Sequence, residues 1–110
     1  MTVDNRGCFH VYNVTNIYTY KRDGTYSISD TFTNVYGIAA GNDKVYAMVF
    51  ISPNYYIYQY DTDTGQWTNS GIDLSATSGN FLLNCLVRDN ATGNVYLADN
   101  NDPIATFYRL

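Results

Sequence analysis

Apolar and polar positions alternate with a period of two through most of the chain, and short polar turns break the alternation. IYQYDTDTGQWT (Ile57 to Thr68) and IYTYKRDGTYS (Ile17 to Ser27) show the unit: four alternating residues, a Gly-containing turn, another aromatic residue. Period two sends successive side chains to opposite faces of a strand, so each stretch predicts a pair of antiparallel strands. VYGIAAGNDKVYAMVF (Val35 to Phe50) predicts another pair around a turn at Gly41-Asn42-Asp43. LVRDNATGNVYLADNN (Leu86 to Asn101) repeats that shape through a turn from Asn90 to Gly93. TVDNRGCFHVYN (Thr2 to Asn13) is a copy with a shorter start.

The copies share an order. A Val-Tyr dipeptide anchors each, at Val11-Tyr12, Val45-Tyr46 and Val95-Tyr96, and a polar loop follows: NVTN, SPNY or NNDP. A third strand comes next, IYTY, IYQY or TFYRL, with Tyr18, Tyr58 and Tyr108 as equivalents facing the space between units. Two copies continue into a fourth strand; the third reaches Leu110 first. Tyr18 and Tyr58 are 40 residues apart, Tyr58 and Tyr108 are 50. That period fits four short antiparallel strands with their turns, the blade of a β-propeller.

The expected fold is therefore all-β: one repeat domain over residues 1–110, built of antiparallel four-stranded blades at 1–34, 35–78 and 79–110. A sandwich or barrel would alternate without the repeating order. Propellers close with about four to eight blades. Fewer than three predict an open arc, or a ring closed by oligomerisation or by further blades of a longer chain.

Composition points the same way. Twelve residues are Tyr and all ten acidic residues are Asp, types that suit pleated surfaces and turns respectively. The net charge is −4, and the six Lys and Arg do not cluster along the sequence. A nucleic-acid partner needs a basic stripe to displace counterions, so none is expected. The longest apolar run, AMVFI at Ala47 to Ile51, is too short to span a membrane, so no membrane insertion is expected. The N-terminus lacks a signal-peptide pattern. Cys8 and Cys85 are too few for a disulfide scaffold and read as buried thiols. Asn13 and Asn90 begin glycosylation tripeptides, which a chain rich in Asn and Thr produces by chance.

YGIAAGNDKVYAMVF and RDNATGNVYLADNN resemble the inner two strands of NHL, YVTN and related six- or seven-bladed propellers. IYTYKRDGTYS resembles the third strand and turn of an NHL repeat, and YIYQYDTDTGQW the Tyr-Asp-x-x-Thr-Gly-x-Trp of kelch repeats. The likeness covers nearly the whole chain as a blade pattern. No copy has the kelch double glycine, and the resemblance implies a fold rather than a ligand. Small bacterial and fungal lectins that build one ring from several two-blade chains are similar in plan.

Candidate chemistry is sparse. Asp61, Asp63 and Gly65 resemble a calcium loop, but its twelfth position, where a bidentate acid belongs, is Ile72. A turn packed by Trp67 is the simpler reading, and no metal or other cofactor is expected. Cys8 and His10 share a strand face, yet no second His exists to complete a metal site. One His and no Gly-x-Ser-x-Gly elbow leave no triad to assemble, and no Glu is present for a glycosidase pair. The chain reads as a non-enzymatic binding module, with no catalytic residues. In an antiparallel blade the loops between second and third strands share one side, and the tight Asp/Gly turns share the other. The first side gathers Asn13, Asn16, Asn54, Tyr55, Asn100, Asn101 and Asp102, whose amides, carboxylate and phenol suit sugar hydroxyls. A glycan is the expected ligand, as in a lectin. The alternatives are a structural or adhesive component of an extracellular or virion assembly, and a protein-interaction fragment of a propeller. An extracellular or virion-surface location fits the first two.

Overall fold

The computed structural model describes residues 1–29, 32, 34–42, 44–101 and 104–110, with Asn101 described by its backbone alone. Among them there is no helix. Eleven strands form three antiparallel sheets, as the alternation predicts. The first sheet holds β1 (Thr2–Val3), β2 (Phe9–Tyr12), β3 (Ile17–Tyr20) and β4 (Tyr26–Ile28). The second holds β5 (Asn34–Ala40), β6 (Val45–Ile51), β7 (Asn54–Asp61) and β8 (Gln66–Asn69). The third holds β9 (Leu86–Arg88), β10 (Val95–Asn101) and β11 (Ile104–Arg109). Each is a meander in sequence order, and none closes on itself.

Local chemistry sets the hairpins. The Asp61 carboxylate accepts the backbone N–H groups of Asp63 and Thr64 at 2.8 and 3.3 Å. Gly65 then takes φ 74°, a conformation that costs a residue with a Cβ. So the stretch that resembles a calcium loop is a turn whose first carboxylate is committed to its own backbone. Asp89 does the same for Ala91 N–H (3.0 Å) and the Thr92 hydroxyl (3.0 Å). Asp43, expected in the β5–β6 turn, lies outside the described residues.

The sheets stack face to face, and β5 lies against β1 and β2 on one side and β9 on the other. Each sheet thus has a fore face toward the preceding sheet and an aft face toward the following one. Ile17 from the aft face of the first sheet joins Val35, Ile38, Ala40, Val45, Ala47, Val49 and Tyr60 from the fore face of the second. Met48 and Ile57 on the aft face of the second meet Leu86, Val95 and Leu97 of the third, with Phe81 and Cys85. Each of the buried Val, Leu, Ile, Met and Phe side chains among them contributes about 1.5–3 kcal/mol. These two layers are the core.

The strand register keeps Tyr18, Tyr58 and Tyr108 equivalent: they oppose Val11, Ala47 and Leu97. It does not keep the Val-Tyr anchors equivalent. Val45 and Val95 pair two residues nearer their tight turns than Val11 does, because the first hairpin has strands of only four residues. In the first sheet Phe9, opposite Tyr20, stands where Val45 stands opposite Tyr60.

Candidate functional site

The meanders give the stack two unlike ends. One carries the β2–β3, β6–β7 and β10–β11 connections; Val35 N–H donates to Val14 O and Asn84 N–H to Tyr36 O, tying the three sheets there. The other carries the tight turns, tied by Arg6 to Asp63 (2.5 Å) and by Asn42 Nδ2 to Thr92 O (3.1 Å).

At the long-loop end the residues expected to bind ligand divide. Asn13 Oδ1 accepts the N–H groups of Thr15 and Asn16 at 3.0 and 2.8 Å, so it holds its own turn. Asn16 donates from Nδ2 to Ser29 O (3.3 Å) and accepts the Thr15 hydroxyl (2.9 Å). Asn16 is thus engaged through both its amide atoms, while exposed Asn13 keeps its Nδ2 on the surface, 3.4 Å from the Tyr18 hydroxyl. Asn54 is exposed at the start of β7. Tyr55 beside it packs among Tyr36, Phe50 and Phe81, with ring centroids 5.2, 4.8 and 4.9 Å away. Burial, then the Tyr36 hydroxyl, pushes the Tyr55 phenol well above its ordinary range, so it stays protonated. Asn100 N–H donates to Asn80 O (3.1 Å), and Asn80 Nδ2 donates to Asn100 O (2.6 Å). Since Phe81 follows Asn80, the structure brings Tyr55, Asn80 and the backbone of Asn100 to one neighbourhood at this end, whereas the strand pleat turns the side chains of Asn54 and Asn100 to the opposite faces of their sheets. Asn80 was not among the residues expected from sequence. Asp102 and Pro103 lie outside the described residues, as does the side chain of Asn101.

The tight-turn end holds three clefts among the described residues. One of about 570 Å3 opens between the first and second sheets, with Arg6, Lys21 and Arg22 on one wall and Thr62, Asp63 and Thr64 on the other. Cys8 also borders it. Burial first, then Asp4, raises its thiol pKa despite three nearby cations, so it is no activated thiolate. All six Lys and Arg gather at this end: Arg6, Lys21, Arg22, Lys44, Arg88 and Arg109 occupy turns or the strand ends beside them. Positions scattered along the sequence become neighbours because every meander returns there. Asp4, Asp23, Asp61, Asp63 and Asp89 stand among them, so the field is mixed rather than a basic stripe.

Beneath this cleft lies a buried relay. His10 Nε2 is 2.8 Å from Asp4 Oδ2, and Nδ1 is 2.9 Å from the Thr19 hydroxyl. Burial would raise the Asp4 carboxyl, but donation from His10 and from the N–H groups of Cys8 and Arg6 outweighs it and holds the pKa low. Burial lowers the His10 pKa against the pull of Asp4, so the ring is neutral near pH 7. Nε2 therefore donates to the carboxylate and Nδ1 accepts the Thr19 proton. The order resembles a catalytic triad, but His10 is 0% and Thr19 2% exposed. The rings of Tyr60 and Trp67, 4.8 and 6.0 Å from His10, cap it. No substrate reaches the hydroxyl. Among the described residues no three His, Cys or Asp side chains come together as metal ligands. The described residues include no helix long and apolar enough to cross a membrane.

Compared with family models, with curated proteins and with solved structures, the chain matches none.

Proposed function

We propose that the chain is a non-enzymatic binding module, an arc of propeller-like blades that takes a carbohydrate at its long-loop end. One observation carries the reading: at the long-loop end an aromatic group of Tyr36, Phe50, Tyr55 and Phe81 lies beside the amide of Asn80, with exposed Asn54 adjoining Tyr55 along its strand. Aromatic faces suit the apolar side of a sugar ring, and amides bracket its hydroxyls. Sequential meanders with their first strands side by side support the blade description. The burial of His10 and Thr19 supports a non-catalytic reading, because this acid–base arrangement among the described residues keeps its ring and hydroxyl out of solvent.

A broad glycan array tests this. The wild type is expected to bind a defined set of glycans, and the double variant Asn54→Ala, Asn100→Ala to lose it with unchanged circular dichroism. Tyr55→Phe, which keeps the ring packing, is expected to weaken binding less. Failure of the wild type to bind any glycan would overturn the reading. The second reading, a structural or adhesive component, then takes its place; the exposed apolar faces of the outer sheets favour it.

A further inference from the structure

The first and third sheets each leave one face uncovered, and each uncovered face has a buried counterpart within the same chain. On the fore face of the second sheet Ala40, Val45, Tyr60 and Trp67 form a cross-strand row against the first sheet. The same row on the first sheet reads Val3, Phe9, Tyr20 and Tyr26. Phe9 is 43% exposed where Val45 is 1%. Tyr20 and Tyr26 pair at 5.3 Å, much as Tyr60 and Trp67 do at 5.2 Å. A second row, Val11, Tyr18 and Ile28, lies beside the first on this face.

The aft face of the third sheet is the complement. Val87, Tyr96 and Arg109 form one row there, and Ala98 with Phe107 another. Phe107 precedes Tyr108 as Ile17 precedes Tyr18 and Ile57 precedes Tyr58. Ile17 and Ile57 are 0% and 1% exposed, each covered by the next sheet; Phe107 is 58% exposed.

We infer that the aft face of the third sheet docks on the fore face of the first sheet of a second copy of this chain. The inference rests on the blade reading proposed above, and continues a packing the chain makes twice internally. The chemistry matches. In the internal interface His10 and Thr19 meet the Tyr60–Trp67 pair. The equivalent positions of the third sheet are Tyr96 and Arg109, and a guanidinium over the Tyr20–Tyr26 pair is a cation–π contact. The contact is head-to-tail, so unlike surfaces meet and the association closes only if its rotation closes.

The test uses light scattering on gel-filtered protein. The wild type is expected to self-associate at micromolar concentration. Val11→Asp and Phe107→Asp each remove one face, and each alone is expected to be a monomer. Mixed, they are expected to give a 1:1 dimer, because each retains the face the other lacks; two like faces would not behave so. Both side chains are exposed within one chain, so circular dichroism should not change. If either aspartate prevents folding, Val11→Ser and Phe107→Ser replace them. A monomeric wild type, self-association by either variant alone, or a mixture that stays monomeric would each overturn the inference. Mass reads this contact and the array reads the ligand, so one can fail without the other.

Discussion

The imidazole of His10 donates to the carboxylate of Asp4 across 2.8 Å inside a layer that admits no water-facing atom of the ring. Burial sets its folded pKa below the ordinary 6.5, so the unfolded chain binds the proton first as pH falls. Its contribution is complete above about pH 6.5 and is lost below it, at up to about 1.4 kcal/mol per pH unit for one proton. Asp4, whose folded pKa lies below 3.8, adds a second loss further into acid. Urea midpoints between pH 7.5 and 5 should fall with pH. With one His in the chain, a flat profile would place the ring in water.

Tyr58 and Tyr18 occupy the same register position but differ in cover. Tyr58 faces the first sheet, its ring 5.1 Å from that of Phe32, whereas Tyr18 lies on the open fore face. Tyr58→Ala should cost about 3 kcal/mol, as large-to-small core changes do. In dilute protein Tyr18→Ala should cost under about 1 kcal/mol, as for surface positions. Equal costs would contradict this packing order.

Gly93 and Gly24 both hold positive φ, at 76° and 89°. A Cβ on Gly24 meets nothing within 4 Å, while one on Gly93 runs into the Asn42 side chain. Gly24→Ala should then cost about 1 kcal/mol from backbone strain alone. Gly93→Ala should cost more, because it also displaces the Asn42–Thr92 tie between two sheets. Chemical denaturation of both variants separates the two effects.

The thiols should react at different rates. Cys85 is buried, and burial pushes its pKa up to about 11; Cys8 is partly exposed at the mouth of the cleft. A disulfide reagent at pH 8 should modify Cys8 in the folded chain and Cys85 only with unfolding. Fast modification of both would show that the layer between the second and third sheets opens readily.

Most strands were legible because alternation follows from each sheet having two distinct faces. The equivalence of Tyr58 and Tyr108 was legible too. The first Val-Tyr pair misled, because a short hairpin places Val11 seven residues before its Tyr where Val45 and Val95 stand thirteen before theirs. The relay was hidden by distance in sequence. Pairing FHVY against IYTY sets His10 opposite Thr19, two polar residues on one otherwise apolar face, and that was the available signal. The bonds that Asn13 and Asn16 make within their own loop were not legible, because a sequence does not say which amide atoms a turn uses. The gathering of the cations needed the direction of every strand at once.

That gathering gives the molecule a chemical handle on one side. Lys21 and Lys44 both sit at the tight turns, so acylation of lysine side chains marks that end and spares the other. Trypsin, which cuts only after Lys or Arg, finds every one of its sites there. Chains tethered to a surface through these lysines would stand with Asn54, Tyr55 and Asn100 pointing away from it.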